Sequence, residues 1–475
     1  MRKTKIVITL GPSTSSEEMI EKLIKKGVNV FRLNFSHGDH ESHAQNIQKI
    51  RHVSKKLKKE VAILQDISGP KVRIGKVEGT LLLKKGDTLQ LSKSQNSDPY
   101  VLDLSYPLII DMVNVAEEVF FADGTIRTQV IAKDSDTLTL ELLNDGELTS
   151  KKGVNFPKTK LEISAITSKD EADIAFGATH DIDMVALSFV QTKEDILKAR
   201  SIMKEHDFDP FVIAKIETGE AINNLEEILE SSHGVMVARG DLGAEFGVTK
   251  LPRIQKQIIA VANAMNKPVI TATQMLTTMK ENPFPTRAEV SDIANAVYDG
   301  TDAVMLSDET TIGRFPIEAV EVLHNTIKDV EIDYPYFKEF SKIDKSDALS
   351  KSAVELAKIL DKEALVAFTM SGASAQSISK FRPKQNIYAV SLTLKTHRRL
   401  SLVWGVHPLF ISNEIATPCK LIYDFVKRIV DEKRVAIDKE FIITMGSITE
   451  EKGSTNIIQL INKKGMQSIL KLGCV

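Results

Sequence analysis

Two cysteines, one tryptophan, no surplus of basic charge and no long apolar run limit what this 475-residue chain can be. Cys419 and Cys474 lie far apart and lack metal-ligand spacing, which excludes a disulfide-built scaffold and a zinc ribbon and fits a reducing cytoplasm. Lys and Arg total 62 against 64 Asp and Glu, a formal charge of −2. Proteins that bind nucleic acid by neutralising phosphates carry a basic excess, so the expected ligands are small molecules and nucleic acid is not among the partners. No stretch reaches the ~20 apolar residues that a membrane helix needs, so no membrane partner is expected either. The apolar start, Ile6 to Leu10, stops at Gly11-Pro12 and reads as a strand and turn, not a signal peptide.

What is present is ordinary globular material, 42% hydrophobic and 27% charged. Single cores stop growing near about 250–300 residues, so two or three domains are expected. Strand-length β-branched runs recur at Lys5–Gly11, Val28–Ser36, Val61–Ile67, Met184–Val190, Phe211–Glu217, Val235–Gly240, Pro268–Gln274 and Ala303–Glu309. Helical patterns separate them, two opening on apparent capping boxes at Ser15–Glu18 and Ser168–Glu171. Near-continuous apolarity suits parallel strands covered on both faces, and eight strand–helix alternations predict an α/β fold, a (β/α)₈ barrel. A doubly wound open sheet has the same local pattern. Between Pro70 and Pro157 the rhythm changes to short alternating segments punctuated by Lys85-Gly86-Asp87, Asp123-Gly124 and Asn144-Asp145-Gly146, the signature of an inserted antiparallel β domain. We expect residues 1–69 and 158–340 to form the barrel, 70–157 an inserted β-barrel lid, and 341–475 a C-terminal α/β domain. Strand candidates in that last domain are Ala364–Thr369, Ile387–Leu392, Val406–Ile411, Glu440–Met445 and Ser468–Leu472.

Polar residues gather where the barrel strands end. Residues two apart on a strand share a face. Arg32, Asn34 and Ser36 therefore align, as do Lys215 with Glu217, Arg239 with Asp241, and Thr271 with Thr273, while Asp66 ends the third run. Glu217 and Asp241 offer the sparse carboxylate set by which Mg²⁺ is held while it keeps water and phosphate ligands. Lys215, Arg32 and Arg73 supply positive charge for a phosphoryl group in flight. The plainer alternative makes these carboxylates salt-bridge partners, Glu217 with Lys215. No Walker-A loop or standard dinucleotide fingerprint occurs.

The strings around these residues are specific. Lys3–Val7 leading to Gly11-Pro12-Ser13, Asn34-Phe35-Ser36-His37-Gly38, Lys215-Ile216-Glu217, Met236–Gly243, Thr271–Leu276, Pro285–Glu289 and Gly453–Asn456 closely resemble the pyruvate kinase family from one end of the chain to the other. The resemblance implies phosphoryl transfer from phosphoenolpyruvate to ADP, giving ATP and pyruvate in glycolysis. By motif it makes Glu217 and Asp241 the ligands of Mg²⁺ or Mn²⁺, and Lys215, Thr273 and Arg32 the catalytic residues. Arg32, Lys215, Thr273 and the backbone at Gly240 and Asp241 would bind the substrate. Asn34, His37, Arg73 and Lys152 would serve the nucleotide. It also implies a cytoplasmic homotetramer regulated through its C-terminal domain.

Many members need K⁺, held by residues matching Asn34, Ser36, Asp66 and Ile67. Those members carry Glu where this chain has Lys71, so an ammonium would replace the ion and K⁺ is expected not to be required. In the last domain Thr369, Ser371, Gly372 and Ser374 match the family's effector-phosphate loop, before a helix N-terminus. The loop Gly446–Gly453 lacks the Trp and Arg used for fructose 1,6-bisphosphate and carries two glutamates, which favours a monophosphate such as AMP or a sugar monophosphate. Two other readings stand beside this one. A catalytically inactive phosphometabolite sensor would keep the scaffold, and a relative of pyruvate phosphate dikinase would need a phosphate-carrying histidine that no site here provides.

Overall fold

The structure is a computed structural model describing residues 1–475 except 123, 160–162, 342, 363, 413–416, 432–439, 447–454 and 473–475. Its centre is a closed ring of eight parallel strands in chain order: β1 (Lys5–Thr9), β2 (Val30–Asn34), β3 (Ala62–Ile67), β4 (Met184–Leu187), β5 (Phe211–Ile216), β6 (Gly234–Ala238), β7 (Val269–Ala272) and β8 (Ala303–Leu306). Each apolar run read from the sequence is a strand. The β1–β8 pairing, Lys5 opposite Ala303, excludes the open sheet.

Alternation decides what fills the ring. Val7, Val30, Leu64, Ala186 and Ile213 belong to the inner core, while their neighbours Ile8, Phe31, Ile63, Val185 and Val212 pack under the helices. Two residues past each of those five inward positions stand Thr9, Arg32, Asp66, Ser188 and Lys215. The same periodicity that packs the barrel with hydrocarbon therefore puts a polar layer at its C-terminal mouth, where such barrels keep their sites. Helix starts differ slightly from expectation. Ser16 caps alone, accepting from Met19 N–H at 3.2 Å, and the second box is Thr167 with Asp170, one residue earlier than expected.

The inserted segment has its own core, including Leu89, Leu91, Val119, Phe121 and Leu140. Its strands form two sheets around that core, not a single closed ladder. One is a ribbon of Leu81–Leu83 with Gly146–Leu148, and the other a six-stranded sheet that is antiparallel except where Thr88–Ser92 meets Val101–Asp103. Asp123 of the expected Asp-Gly turn lies outside the described residues.

The C-terminal sheet orders β9 (Ala364–Thr369), β10 (Asn386–Ser391), β11 (Val406–Ile411), β12 (Phe441–Met445) and β13 (Ile457–Ile461) as β11-β10-β9-β12-β13, with β13 antiparallel to β12. Ser468–Leu472, expected as a strand, is the end of helix Lys463–Leu472. Met466, Ile469 and Leu470 recur at helical spacing against the core, which a five-residue window could not reveal. Cys419 is disulfide-bonded, a cross-link that the low cysteine count did not lead one to expect. Cys474 lies outside the described residues.

The domain docks beneath the barrel through charge. Buried Arg382 spans Asp302, just before β8, at 3.0 Å, and also donates to Gly300 O and Asn263 Oδ1 at 2.8 Å. Lys3 and Lys5 enter from β1 and its approach. Their ammonium groups donate to the carbonyls of Gln385 and Val406 respectively. Burial lowers both from 10.5 to about 7, against the pull of Glu331. Between those values the unfolded chain binds more protons than the folded one, so these groups make stability rise with pH across that window. The thermal midpoint of wild type is expected to rise relative to Lys5→Met between about pH 7 and pH 9. Scanning calorimetry of the two proteins checks this, and identical pH slopes would contradict it.

Candidate active site

At the mouth, five inward side chains form one bonded cluster. Arg32 donates through Nε to Asp66 at 2.6 Å and through Nη1 to Thr9 Oγ1 at 2.9 Å. Lys215 Nζ stands 2.7 Å from Ser188 Oγ, 3.0 Å from Glu217 and 3.3 Å from Asp66. Ser188 Oγ donates to Ile67 O at 2.7 Å. Burial opposes the Lys215 charge, but Asp66 and Glu217 outweigh it and hold the ammonium above its usual pKa. Asp66 is likewise desolvated, yet Arg32 and Lys215 keep it below the ordinary carboxylate range. Lys215 and Asp66 are thus charged at neutral pH, and the cluster is bonded together before any ligand arrives. The Lys215–Glu217 salt bridge therefore exists, as part of the cluster and not as an alternative to it.

Glu217 is different. Its carboxylate accepts from Phe189 N–H at 2.7 Å, with Phe189 at φ +55°. Burial raises its pKa, and the negative charge of Asp241 adds to that despite the pull of Lys215. Two carboxylates close enough to repel, at an open barrel end, are a donor set that a divalent cation would relieve. No group of three or more His, Cys, Asp or Glu suited to a metal occurs among the described residues. Glu217 and Asp241 alone would leave a divalent cation open to water and substrate oxygens, an arrangement that suits Mg²⁺. Lys71, at the root of the lid, reaches Asp241 Oδ1 at 3.2 Å. A cavity of about 530 Å³ adjoins the cluster, lined by Lys71 and Val154 from the lid side and Phe189, Thr218 and Glu245 from the barrel.

Beyond β6 and β7 the expected strand alternation fails. Arg239 and Asp241 lie in helix Arg239–Phe246, so they share no strand face. Thr271 is buried among the helices, bonded to Thr301 Oγ1 at 2.9 Å, while Thr273 lies past the end of β7 at φ +68°. Left-handed backbone costs a non-glycine residue roughly 1–2 kcal/mol, and a β-branched one is a true outlier. The turn places Thr273 Oγ1 2.9 Å from Gly240 N–H, from which it accepts.

Other expected residues divide. Asn34 uses its carbonyl oxygen on Ser36 N–H at 3.1 Å, and Ser36 and His37 are exposed beside it. Ile67 is buried and contributes its carbonyl. Arg73 is turned into the lid, donating to Lys151 O at 2.8 Å, and Lys152 is exposed there. The structure does not bring these two into the cluster. Ser188 and Thr9 were missed, although they carry the same signal, a polar residue at an inward strand end.

Residues 1–320 match the barrel domain of pyruvate kinase and residues 347–461 its alpha/beta domain. The chain belongs to the pyruvate kinase family. It is 43% identical over 470 residues to the pyruvate kinase of Staphylococcus epidermidis strain RP62A, covering 97% of this chain and 80% of that one. Identity to the pyruvate kinase of Staphylococcus aureus strain MRSA252 is 44% over 472 residues, with the same coverage. A crystal structure of a pyruvate kinase from Cryptosporidium parvum aligns with a TM-score of 0.90 at 35% identity, covering 97% of this chain and 96% of that one. The protein is accordingly a phosphotransferase with pyruvate kinase function, for which phosphoenolpyruvate and ADP are the substrates and pyruvate a product.

Asp66 is the hinge of the cluster's charge balance. Asp66→Asn leaves Arg32 and Lys215 buried with one carboxylate fewer, which should cost about 3–5 kcal/mol. Urea unfolding followed by fluorescence checks this, and an unchanged midpoint would contradict it.

Proposed function

We propose that this pyruvate kinase works as a Mg²⁺- or Mn²⁺-dependent, K⁺-independent enzyme whose catalytic groups are Lys215, Thr273 and Arg32. The observation that carries the reading is the buried Lys215 ammonium, held by Asp66, Glu217 and Ser188 beside the Asp241 carboxylate. Glu217 and Asp241 would hold the divalent ion, which when bound polarises phosphate and enolate oxygens. Lys215 offers a fixed positive charge to the phosphoryl group as it leaves phosphoenolpyruvate and to the enolate oxygen left behind. Because Asp66 and Glu217 already orient the ammonium, little reorganisation accompanies the transfer. Arg32, braced by Asp66 and Thr9, offers a second charge to phosphate oxygens. The backbone at Gly240 and Asp241 opens a helix and suits the substrate carboxylate, which the Asp241 N–H would meet while the Gly240 N–H stays on Thr273 Oγ1. Thr273 closes the sequence by passing a proton toward the enolate methylene carbon. Asn34, His37, Arg73 and Lys152 would meet the nucleotide when the lid closes.

The monovalent pocket proposed at Asn34, Ser36, Asp66 and Ile67 adjoins a cluster that already holds two cations on Asp66. Lys71 adds a third positive charge at Asp241. We therefore take K⁺ to be dispensable. The effector loop at Thr369, Ser371, Gly372 and Ser374 has the geometry of an anion cradle. Gly372 at φ +99° opens helix Ala373–Lys380 and donates its N–H to Thr369 Oγ1 at 2.9 Å, and Ser374 Oγ bonds Thr455 Oγ1 at 2.7 Å. A monophosphate effector, AMP or a sugar monophosphate, suits it. The loop Gly446–Gly453 lies almost wholly outside the described residues. Separate hydrophobic cores support the proposed divisions at 69/70, 157/158 and 340/341, with Ile163 packing on the lid core, Phe337 and Phe340 on the C-terminal core and Trp404 on the barrel core across them. A cytoplasmic homotetramer is the assembly that the family resemblance suggests, and the disulfide at Cys419 is a feature that a reducing compartment does not explain. Among the described residues no helix is long and apolar enough to cross a membrane.

Initial rates with phosphoenolpyruvate and ADP test the proposal. Pyruvate should form with Mg²⁺ at equal rates in K⁺ and in a bulky inert cation salt. Lys71→Glu should become K⁺-activated by about tenfold or more, since a carboxylate there would call for a counter-ion. Strong K⁺ activation of wild type would overturn the dispensability of the ion. Absence of pyruvate in every salt would make the chain a sensor.

A further inference from the structure

We infer that Arg239 is the positioning residue that holds Thr273 in its reactive orientation, an inference resting on the proton-relay reading of that threonine. Thr273 and Gln274 are two successive non-glycine residues at positive φ, +68° and +54°. Neither conformation is favoured by its own side chain, so neighbours must impose it. Arg239 does so. Its guanidinium is buried, and Nε and Nη2 both donate to Thr273 O, at 3.1 and 2.7 Å. Nη2 also donates to Gln274 O at 3.0 Å and lies 2.7 Å from Met275 Sδ. Nη1 is anchored on Asp292 Oδ2 at 2.5 Å, from helix Arg287–Asp299. One planar group thus ties both left-handed carbonyls to a neighbouring helix. An ammonium could not make that fork.

The residue after Arg239 completes the grip. Gly240 N–H donates to Thr273 Oγ1 at 2.9 Å, occupying a lone pair of the hydroxyl. The hydroxyl proton must then point away from Gly240. Residues 239 and 240 therefore fix Thr273 at its carbonyl and at its hydroxyl together, leaving the side chain as a donor. Arg239 itself touches none of Lys215, Glu217 or Asp241 in any contact described above. Its effect on the reaction runs through the turn.

The test separates proton transfer from binding, because exchange of pyruvate methyl protons with solvent, followed by NMR, reports the enolate step alone. Arg239→Lys should lower kcat and methyl-proton exchange in parallel, about 10–100-fold, with KM for phosphoenolpyruvate within about threefold. Asp292→Asn, which frees only the anchor, should act in the same direction by about three- to tenfold and provides a milder variant if the first folds poorly. Adding Gln274→Gly to Arg239→Lys should recover about threefold or more, because glycine adopts the left-handed turn freely, while Gln274→Gly alone stays near wild type. Exchange retained in Arg239→Lys and Asp292→Asn, with Thr273→Val impaired, would overturn the role of Arg239 and leave that of Thr273. Exchange undiminished in Thr273→Val would overturn the relay reading and this inference with it.

Discussion

Everything at the barrel mouth depends on one buried ammonium that keeps its charge. Lys215 is desolvated, and an isolated amine there would lose its proton. Asp66 at 3.3 Å, Glu217 at 3.0 Å and the Ser188 hydroxyl at 2.7 Å reverse that tendency. The partners are not spare groups recruited from loops. Asp66, Ser188 and Lys215 occupy the next inward position of three adjacent strands, β3, β4 and β5, and Arg32 does the same on β2. The site is the top layer of the packing pattern with charge substituted for hydrocarbon. Its geometry is as stiff as the barrel itself, which is what electrostatic catalysis requires.

That origin also explains what the sequence made legible. Parallel strands covered on both faces read as continuous apolar runs, so all eight barrel strands and the polar residues two positions on, Arg32, Asp66 and Lys215, could be placed from periodicity and motif together. Ser188 carried the same signal, inward and polar just past the end of β4. Where the backbone leaves strand geometry, alternation no longer tells which way a side chain faces. Arg239, Asp241 and Thr273 were assigned faces by an alternation that ends at Ala238 and Ala272, and their true relation comes from a helix start and a left-handed turn. The terminal helix was expected as a strand at Ser468–Leu472, and the edge strand β13 was not expected, for a similar reason. Half-exposed Ile457–Ile461 and amphipathic Lys463–Leu472 each look like either element over five residues. The partner of Lys71 could not be read at all, since nothing local to Pro70-Lys71 points to Asp241 some 170 positions away.

The three parts of the chain meet the cluster from different sides. The lid joins the barrel directly after β3, so Lys71 at its root lies against Asp241 while Arg73 and Lys152 stay with the lid. The C-terminal domain grips the opposite end through Arg382 on Asp302 and through Lys3 and Lys5 on β1. β1 and β8 therefore run from that joint to the mouth, where Thr9 holds Arg32.

Glu217 and Asp241 are proposed to form a divalent-cation site beside Lys215. Diffraction from crystals soaked in Mn²⁺, collected to give its anomalous signal, addresses this without reference to turnover. The account predicts one strong peak within about 2.0–2.3 Å of an oxygen from each carboxylate, with Lys71 drawn off Asp241. A peak bound by only one of them, or none at the barrel mouth, would contradict it.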